Sequence, residues 1–143
     1  MTPEQNVVLW GRSVLGSAFV WGETDCALIA LAGIDVFTGS AHADRYRGRW
    51  TTADEALAHF AIETPSQVLK SIGAVEIAEN YAVLGDVVTV PAPPWPEQLH
   101  FILGRFCLCS DELAGVSLLR AKAVTSLPGA RIWRVPPCPK PSP

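Results

Sequence analysis

The chain has 143 residues, of which 49% are hydrophobic and 17% charged, and its formal net charge at pH 7 is −3. This length fits one compact domain whose core is large enough to fold without metal or disulfide cross-links. The 11 lysine and arginine residues are spread without a run or stripe, so the charge pattern favours neither nucleic acid nor an anionic membrane as a partner. No apolar segment approaches the roughly 20 residues that span a bilayer, and no stretch reads as a secretory signal. We therefore expect synthesis in the cytoplasm and no membrane span.

Capping residues and glycine stops predict helices in the first half of the chain. Four helices are expected to begin after threonine or aspartate caps, which are Thr2, Asp25, Thr52 and Thr64. The second helix is apolar on most sides, so it is expected in the core. Glycines at 16, 39 and 73 are the predicted ends of the first, second and fourth helices.

From Tyr81 onward, Val- and Ile-rich segments split by Gly and Pro predict strands. They cover residues 86–90, 99–103, 105–109, 116–119 and 130–135. Helices followed by strands favour an α+β fold, with helices packed on one face of a meandering antiparallel sheet. Residues 91–96, rich in proline, are expected to form an extended loop or turn rather than a central strand, because proline cannot donate to a sheet ladder.

We expect residues 1–135 to form a single domain and residues 136–143 to form a proline-rich tail. Five of these last eight residues are prolines, a composition that suits a polyproline II strap or a mobile end and allows contact with a partner.

The four cysteines, at positions 26, 107, 109 and 138, are too few and too uneven for a disulfide scaffold, and no Cys-x-x-Cys pair suggests zinc. We expect no metal and no cofactor. Cys107 and Cys109 alternate along a predicted strand, so their side chains share one face, where packing is favoured over metal binding.

Cys26 is the candidate nucleophile, because it is predicted at the start of a helix, where backbone N–H groups favour a thiolate and stabilise an oxyanion. Its base would be one of three histidines, His42, His59 and His100. We favour His100 because a predicted strand supports it. The alternatives remain an inert, buried Cys26 and a His100 that is simply a polar residue of a sheet face.

Three segments carry a resemblance to the NlpC-type, papain-like cysteine peptidases. A-F-V-W-G-E-T-D-C-A-L (18–28) resembles that family's motif at the head of a buried helix, and L-G-D-V-V-T-V (84–90) is similar to its Pro-Gly-Asp-Leu-Val strand. L-H-F-I-L-G (99–104) resembles its histidine strand. The resemblance implies a papain-like fold over residues 1–135, Cys26 as nucleophile and His100 as base.

A closer likeness is to small phage-encoded proteins related to that family. The shared segments here read W-G-E-T-D-C (21–26), T-G (38–39), R-G-R-W (47–50), G-D-V-V (85–88) and W-R-V (133–135). This likeness implies a virion protein at the phage tail tip, with tail hub and tip proteins as partners. It also implies peptidoglycan cleavage during cell-wall penetration, with a stem peptide as substrate and Phe19, Trp21 and Asp25 in the oxyanion or cleft region.

Departures from the family pattern favour an alternative. Phe19 replaces a Tyr whose hydroxyl can reach the reaction centre, Ala27-Leu28 replaces Ser-Gly, and residues 107–110 contain no His, Asn or Gln. The alternative is a catalytically weakened or inactive structural tail-tip subunit that keeps the fold. A thiol hydrolase or acyltransferase unconnected with phage is a third possibility, since a fold does not fix a substrate.

Four conspicuous side chains also have structural interpretations. Asp25 is expected to cap the second helix rather than carry a proton, and Asp86 to make a structural hydrogen bond at a strand entry. Most tryptophans are expected in the core or in groove walls, whereas Trp95, between prolines, is the exposed aromatic that marks a contact.

Overall fold

A computed structural model describes residues 1–137, which form an α+β protein with helices packed on a six-stranded antiparallel sheet. The helices are α1 (Pro3–Val14), α2 (Cys26–Thr38), α3 (Ala53–Ile62), α4 (Pro65–Ser71) and α5 (Ala121–Thr125). Short 3-10 turns cover His42–Arg45 and Glu79–Tyr81. The strands are β1 (Val75–Ile77), β2 (Val87–Ala92), β3 (Trp95–Leu103), β4 (Phe106–Asp111), β5 (Gly115–Arg120) and β6 (Arg131–Arg134). The predicted α+β class is confirmed.

The predicted helix starts are confirmed by hydrogen bonds at their caps. The Thr2 hydroxyl accepts the backbone N–H of Gln5, whose side chain accepts the N–H of Thr2, and Thr64 and Gln67 repeat this capping box. Thr52 caps α3 through its hydroxyl alone. The predicted ends differ slightly, because α1 and α4 each stop two residues before the glycine expected to end them.

The sheet is not a simple meander, since its strand order is β1-β6-β2-β3-β4-β5. Strands β2 to β5 follow one another as hairpins, but β6 returns across the sheet to pair with both β1 and β2. The sequence did not predict β1 or α5, because elements of three and five residues are too short to show a period.

The prediction that residues 91–96 are a loop or turn is wrong at both ends of that segment. Pro91 lies in β2 and Pro96 in β3, and only Pro93–Pro94, joined by a cis peptide bond, form the turn. β6 pairs with β2 only as far as Thr89, and β4 pairs with β3 only from Phe101 onward. The prolines therefore extend beyond the shared ladders, where a missing N–H breaks no bond with those neighbours.

Two hydrophobic clusters occupy the two faces of the sheet. Leu99 and Phe101 of β3 belong to the cluster that contains α2, α3 and α4, whereas Ile102 belongs to the cluster on the α5 face. Gly33 of α2 lies directly over Phe101, where an added Cβ would come within 2.8 Å of the ring. The close approach of α2 to β3 fixes the position of the start of this helix.

Among residues 1–137, no helix combines the length and apolar character needed to cross a membrane. The predicted tail begins at Pro136, and its residues 138–143 lie outside the part of the chain that the structure describes.

Candidate functional site at the Cys26 cleft

Asp25 caps α2 and ties the preceding turn to a distant loop. Its carboxylate accepts the backbone N–H of Leu28 at 2.9 Å, the N–H of Gly22 at 2.7 Å and the indole N–H of Trp50 at 2.7 Å. Only 2% of Asp25 is exposed. The structural interpretation of Asp25 is confirmed: it is an N-cap and a buried cross-link.

The W-G-E-T-D-C and R-G-R-W segments form one interlocked unit. Gly22 has φ 77°, and a Cβ there would collide with the carbonyl oxygen of Trp50. The N–H of Gly48 donates to the carbonyl of Gly22 at 2.9 Å. The two motifs therefore have a structural reason to occur together, because each supplies backbone and side-chain partners to the other.

The G-D-V-V and W-R-V segments meet in the same way at the other end of the sheet. The guanidinium of Arg134 donates to both carboxylate oxygens of Asp86, at 3.0 Å from Nε and 2.9 Å from Nη2. The N–H of Val83 donates to the same carboxylate at 2.9 Å. The predicted structural role of Asp86 is confirmed, and this bidentate ion pair joins the turn before β2 to β6.

A cleft of about 360 Å³ opens beside Cys26 at the start of α2. Phe19, Trp21 and Asp25 line it together with Cys26, so the structure brings together four of the five residues singled out from the sequence. The Trp21 ring stacks on Trp95, with centroids 5.4 Å apart and planes 29° from parallel. Phe19 packs edge-on against Trp21 at 4.6 Å, which gives the cleft an aromatic wall.

Ala27, which follows Cys26 in the same motif, also lines the cleft. The remaining lining residues come from four other elements and a connecting loop, and sequence analysis missed them. They are Phe60, Pro65, Glu97, Gln98, Leu99, Ser110, Asp111, Glu112 and Leu113. No local pattern marks them, because tertiary folding brings them together. Trp95 was expected to be an exposed aromatic at a contact; it is instead half-buried and stacked on Trp21, and its role in a contact stays a prediction.

Burial dominates the chemistry of the Cys26 thiol. Loss of solvent raises its pKa to about 11, and the negative charge of Asp25 adds to this rise. A backbone hydrogen bond from Leu99 and the N–H groups at the start of α2 act in the opposite direction but do not compensate. The predicted lowering of the Cys26 pKa is wrong, because desolvation outweighs the helix terminus.

His100 faces another thiol. It pairs with Val88 across β2–β3 and lies on the sheet face of the second hydrophobic cluster, which also contains Cys109. Its Nδ1 lies 2.9 Å from Cys109 Sγ, whereas no hydrogen bond joins it to Cys26 within residues 1–137. His100 also does not line the cleft. The expected Cys26–His100 hydrogen bond is therefore not formed.

The His100–Cys109 pair is neutral near pH 7. Burial lowers the pKa of His100 to about 4 and raises the pKa of Cys109 to about 12. Cys26 is close enough to Cys109 to contribute to that rise. The pair thus lies near the cleft cysteine, but as a packed, uncharged contact between β3 and β4.

The other two histidines are also absent from the cleft lining. His42 stands in the 3-10 turn after α2, where its backbone N–H donates to Asp35. The ring of His59 packs against Trp50 and Phe60, with centroids 4.9 and 5.2 Å away. None of the three imidazoles in the described part of the chain lines the cleft beside Cys26.

Ser110 occupies the region where the family pattern has a third polar residue. Its hydroxyl donates to the carbonyl of Thr24, and this bond fastens β4 to the turn before α2. Within residues 1–137, no group of three or more His, Cys, Asp or Glu side chains is arranged to hold a metal ion.

Fold and site together define an α+β protein with an aromatic cleft beside a half-buried cysteine at a helix start. The chain belongs to the family described as a domain of unknown function (DUF6950), whose model matches residues 5–135. A comparison with curated proteins gives no match.

Proposed function

We propose that this protein is a structural subunit of a phage tail tip, with a papain-like, NlpC-type fold, that uses the Cys26 cleft to bind a polypeptide segment and not to cleave it. The observation that carries the proposal is the hydrogen bond of His100 with Cys109, together with a cleft whose described lining includes no imidazole. The fold and the tail-tip assignment rest on the motif resemblance in the sequence.

A papain-like fold is supported by the order of the elements. A cysteine opens the apolar helix α2, and an antiparallel sheet follows in the chain and packs against that helix. The G-D-V-V and L-H-F-I-L-G segments fall on the adjacent strands β2 and β3. These positions agree with the order of the three family motifs.

Proton chemistry supports binding without cleavage. With its pKa raised to about 11, the Cys26 thiol is largely protonated at pH 7. A cysteine peptidase needs a base to remove the thiol proton and an acid to protonate the leaving amine. With His100 bonded to Cys109, neither role has an imidazole at the cleft.

The cleft has the form of a binding site all the same. It is concave, it has a wall of three aromatic rings, and it presents polar groups at its rim, which is the usual make-up of a ligand pocket. The stacked Trp21 and Trp95 supply broad apolar contact at little entropic cost.

A cysteine peptidase or amidase acting on a peptidoglycan stem peptide is the second candidate. It is favoured by the place of Cys26 at the start of α2, next to the backbone N–H of Leu99, where an oxyanion would find donors. In that mechanism Cys26 attacks an amide carbonyl and His100 transfers the proton to the departing amine.

Incubation of purified protein with peptidoglycan and with a γ-D-glutamyl peptide separates the two candidates. We expect the wild type and a Cys26→Ala variant to release the same background of soluble fragments. Release that depends on both Cys26 and His100 would overturn the binding function and establish the peptidase.

The tail-tip location has its own test. In a phage that encodes this protein, mass spectrometry of purified particles is expected to find it in the tail, and deletion of its gene is expected to leave tails incomplete. Complete, infectious particles that lack the protein would contradict a structural role.

A further inference from the structure

The described lining of the aromatic cleft is acidic. Among the described residues that line it, the charged side chains are Asp25, Glu97, Asp111 and Glu112, and none is lysine, arginine or histidine. Arg131, which is close enough to Glu97 to affect its own pKa, is held by Glu76 at 2.8 Å. The charge of the cleft is therefore not neutralised from within and favours a basic occupant.

Two carboxylates of the rim, Glu97 and Asp111, are held in place by their own contacts. Glu97 accepts the backbone N–H and the hydroxyl of Ser66, at 3.0 and 2.6 Å. Asp111 accepts the N–H groups of Leu113 and Ala114 through one oxygen. Fixed carboxylates beside a tryptophan pair bind a cationic group with little reorganisation.

Grooves lined by aromatic side chains are the surfaces on which proline-rich polyproline II segments dock. Residues 136–143 of this chain read P-P-C-P-K-P-S-P, with five prolines, one lysine and no acidic residue. This composition favours polyproline II and combines one cation, Lys140, with several proline rings, which suit the Trp21 and Trp95 surfaces. The tail thus combines the positive charge and the proline rings that an acidic, aromatic cleft favours.

The segment that follows β6 is too short for Lys140 to reach the cleft of the same molecule. Thr89 pairs with both Leu99 and Arg131, so β3 and β6 run in the same direction, and both lead away from the cleft. Pro137 lies six residues beyond Arg131, which is about 20 Å of extended chain. Even fully extended, the three residues from Pro137 to Lys140 span at most about 11 Å, which is less than the distance back to the level of Arg131.

We propose that the occupant of the Cys26 cleft is the proline-rich segment 136–143 of a second copy of this chain. The Lys140 ammonium lies among Glu97, Asp111 and Glu112, and the prolines pack on the tryptophan pair. This contact is head-to-tail, so it joins copies into a ring or a short chain. The inference rests on the proposed binding function of the cleft.

Analytical ultracentrifugation of the full chain tests this contact. We expect the mass to rise with concentration in about the 10–100 μM range, and association to weaken about tenfold or more in Trp95→Ala, Lys140→Glu and Glu112→Lys. Combining Lys140→Glu with Glu112→Lys is expected to restore association, because the two charges are exchanged. Glu4→Gln and Lys122→Gln, which are outside the cleft lining, serve as controls that leave association unchanged.

A wild type that stays monomeric over this range, or a Lys140→Glu variant that associates like the wild type, would overturn the inference. Loss of association in Lys140→Glu without rescue by Glu112→Lys would overturn the assigned contact as well. None of these results depends on cleavage, whereas Cys26-dependent release of peptidoglycan fragments would overturn the proposed function itself, so the two failures are distinguishable.

Discussion

Replacing Asp25 tests whether the turn before α2 is held by a buried carboxylate. Asp25→Ala leaves the N–H groups of Gly22 and Leu28 and the indole of Trp50 without their acceptor. Each buried donor that loses its partner costs about 1–3 kcal/mol, and an N-cap contributes about 1 kcal/mol. Because these terms overlap, we expect the free energy of unfolding to fall by about 4 kcal/mol.

Urea denaturation followed by tryptophan fluorescence measures this loss by linear extrapolation. Thr52→Ala is the matched control, because it removes a helix cap that accepts one N–H at the surface, and we expect it to cost about 1 kcal/mol. Asp25→Asn keeps one acceptor oxygen and is expected to lie between the two, so it replaces Asp25→Ala if that variant does not fold. An Asp25→Ala cost no larger than that of Thr52→Ala would refute the cross-link.

Three further predictions concern other contacts. Gly22→Ala is expected to unfold the protein or cost more than about 3 kcal/mol, whereas Gly48→Ala, with similar φ but open space, is expected to cost about 1 kcal/mol in urea melts; equal costs would contradict the interlocked turn. Since the pKa of His100 falls from 6.5 to about 4 on folding, the unfolded state binds the proton more readily, so stability present above pH 6.5 is lost as pH falls to 4. Wild type is therefore expected to lose about 3 kcal/mol more than His100→Gln between pH 7 and 4, and parallel pH profiles would contradict a buried neutral ring. Arg134→Lys keeps the charge but not the bidentate contact with Asp86, so thermal unfolding is expected to show a loss of about 1 kcal/mol; an unchanged midpoint would show that one hydrogen bond suffices.

The predicted parts of the fold are those that local signals specify. Thr2 and Thr64 with their glutamine partners predict helix starts, and hydrophobic segments bounded by Gly and Pro predict strands. The pairing of β6 with both β1 and β2 depends on contacts between residues far apart in the chain, so no short segment of the sequence predicts it. Pro91 can lie in a strand because the ladder between β2 and β6 ends at Thr89, and the local sequence does not specify where that ladder ends.

The site was predicted where it depends on the start of α2 and missed where it depends on tertiary contacts. The cleft positions of Cys26 and Trp21 follow from one motif. The acidic rim comes from separate elements, so its charge is invisible before folding. The sequence predicted the strand of His100 correctly. The face of the sheet on which its side chain lies depends on strand register, which the sequence did not specify, and in the structure the ring contacts Cys109.

The pH dependence of Cys26 alkylation tests the central claim most directly. Iodoacetamide labelling of Cys26, followed by peptide mass spectrometry from pH 6 upward, reports the fraction of thiolate. A binding cleft without a catalytic base predicts an apparent pKa near 11 that is unchanged in His100→Gln. An apparent pKa below 7 that rises in His100→Gln would show that the imidazole activates Cys26, and it would contradict the account.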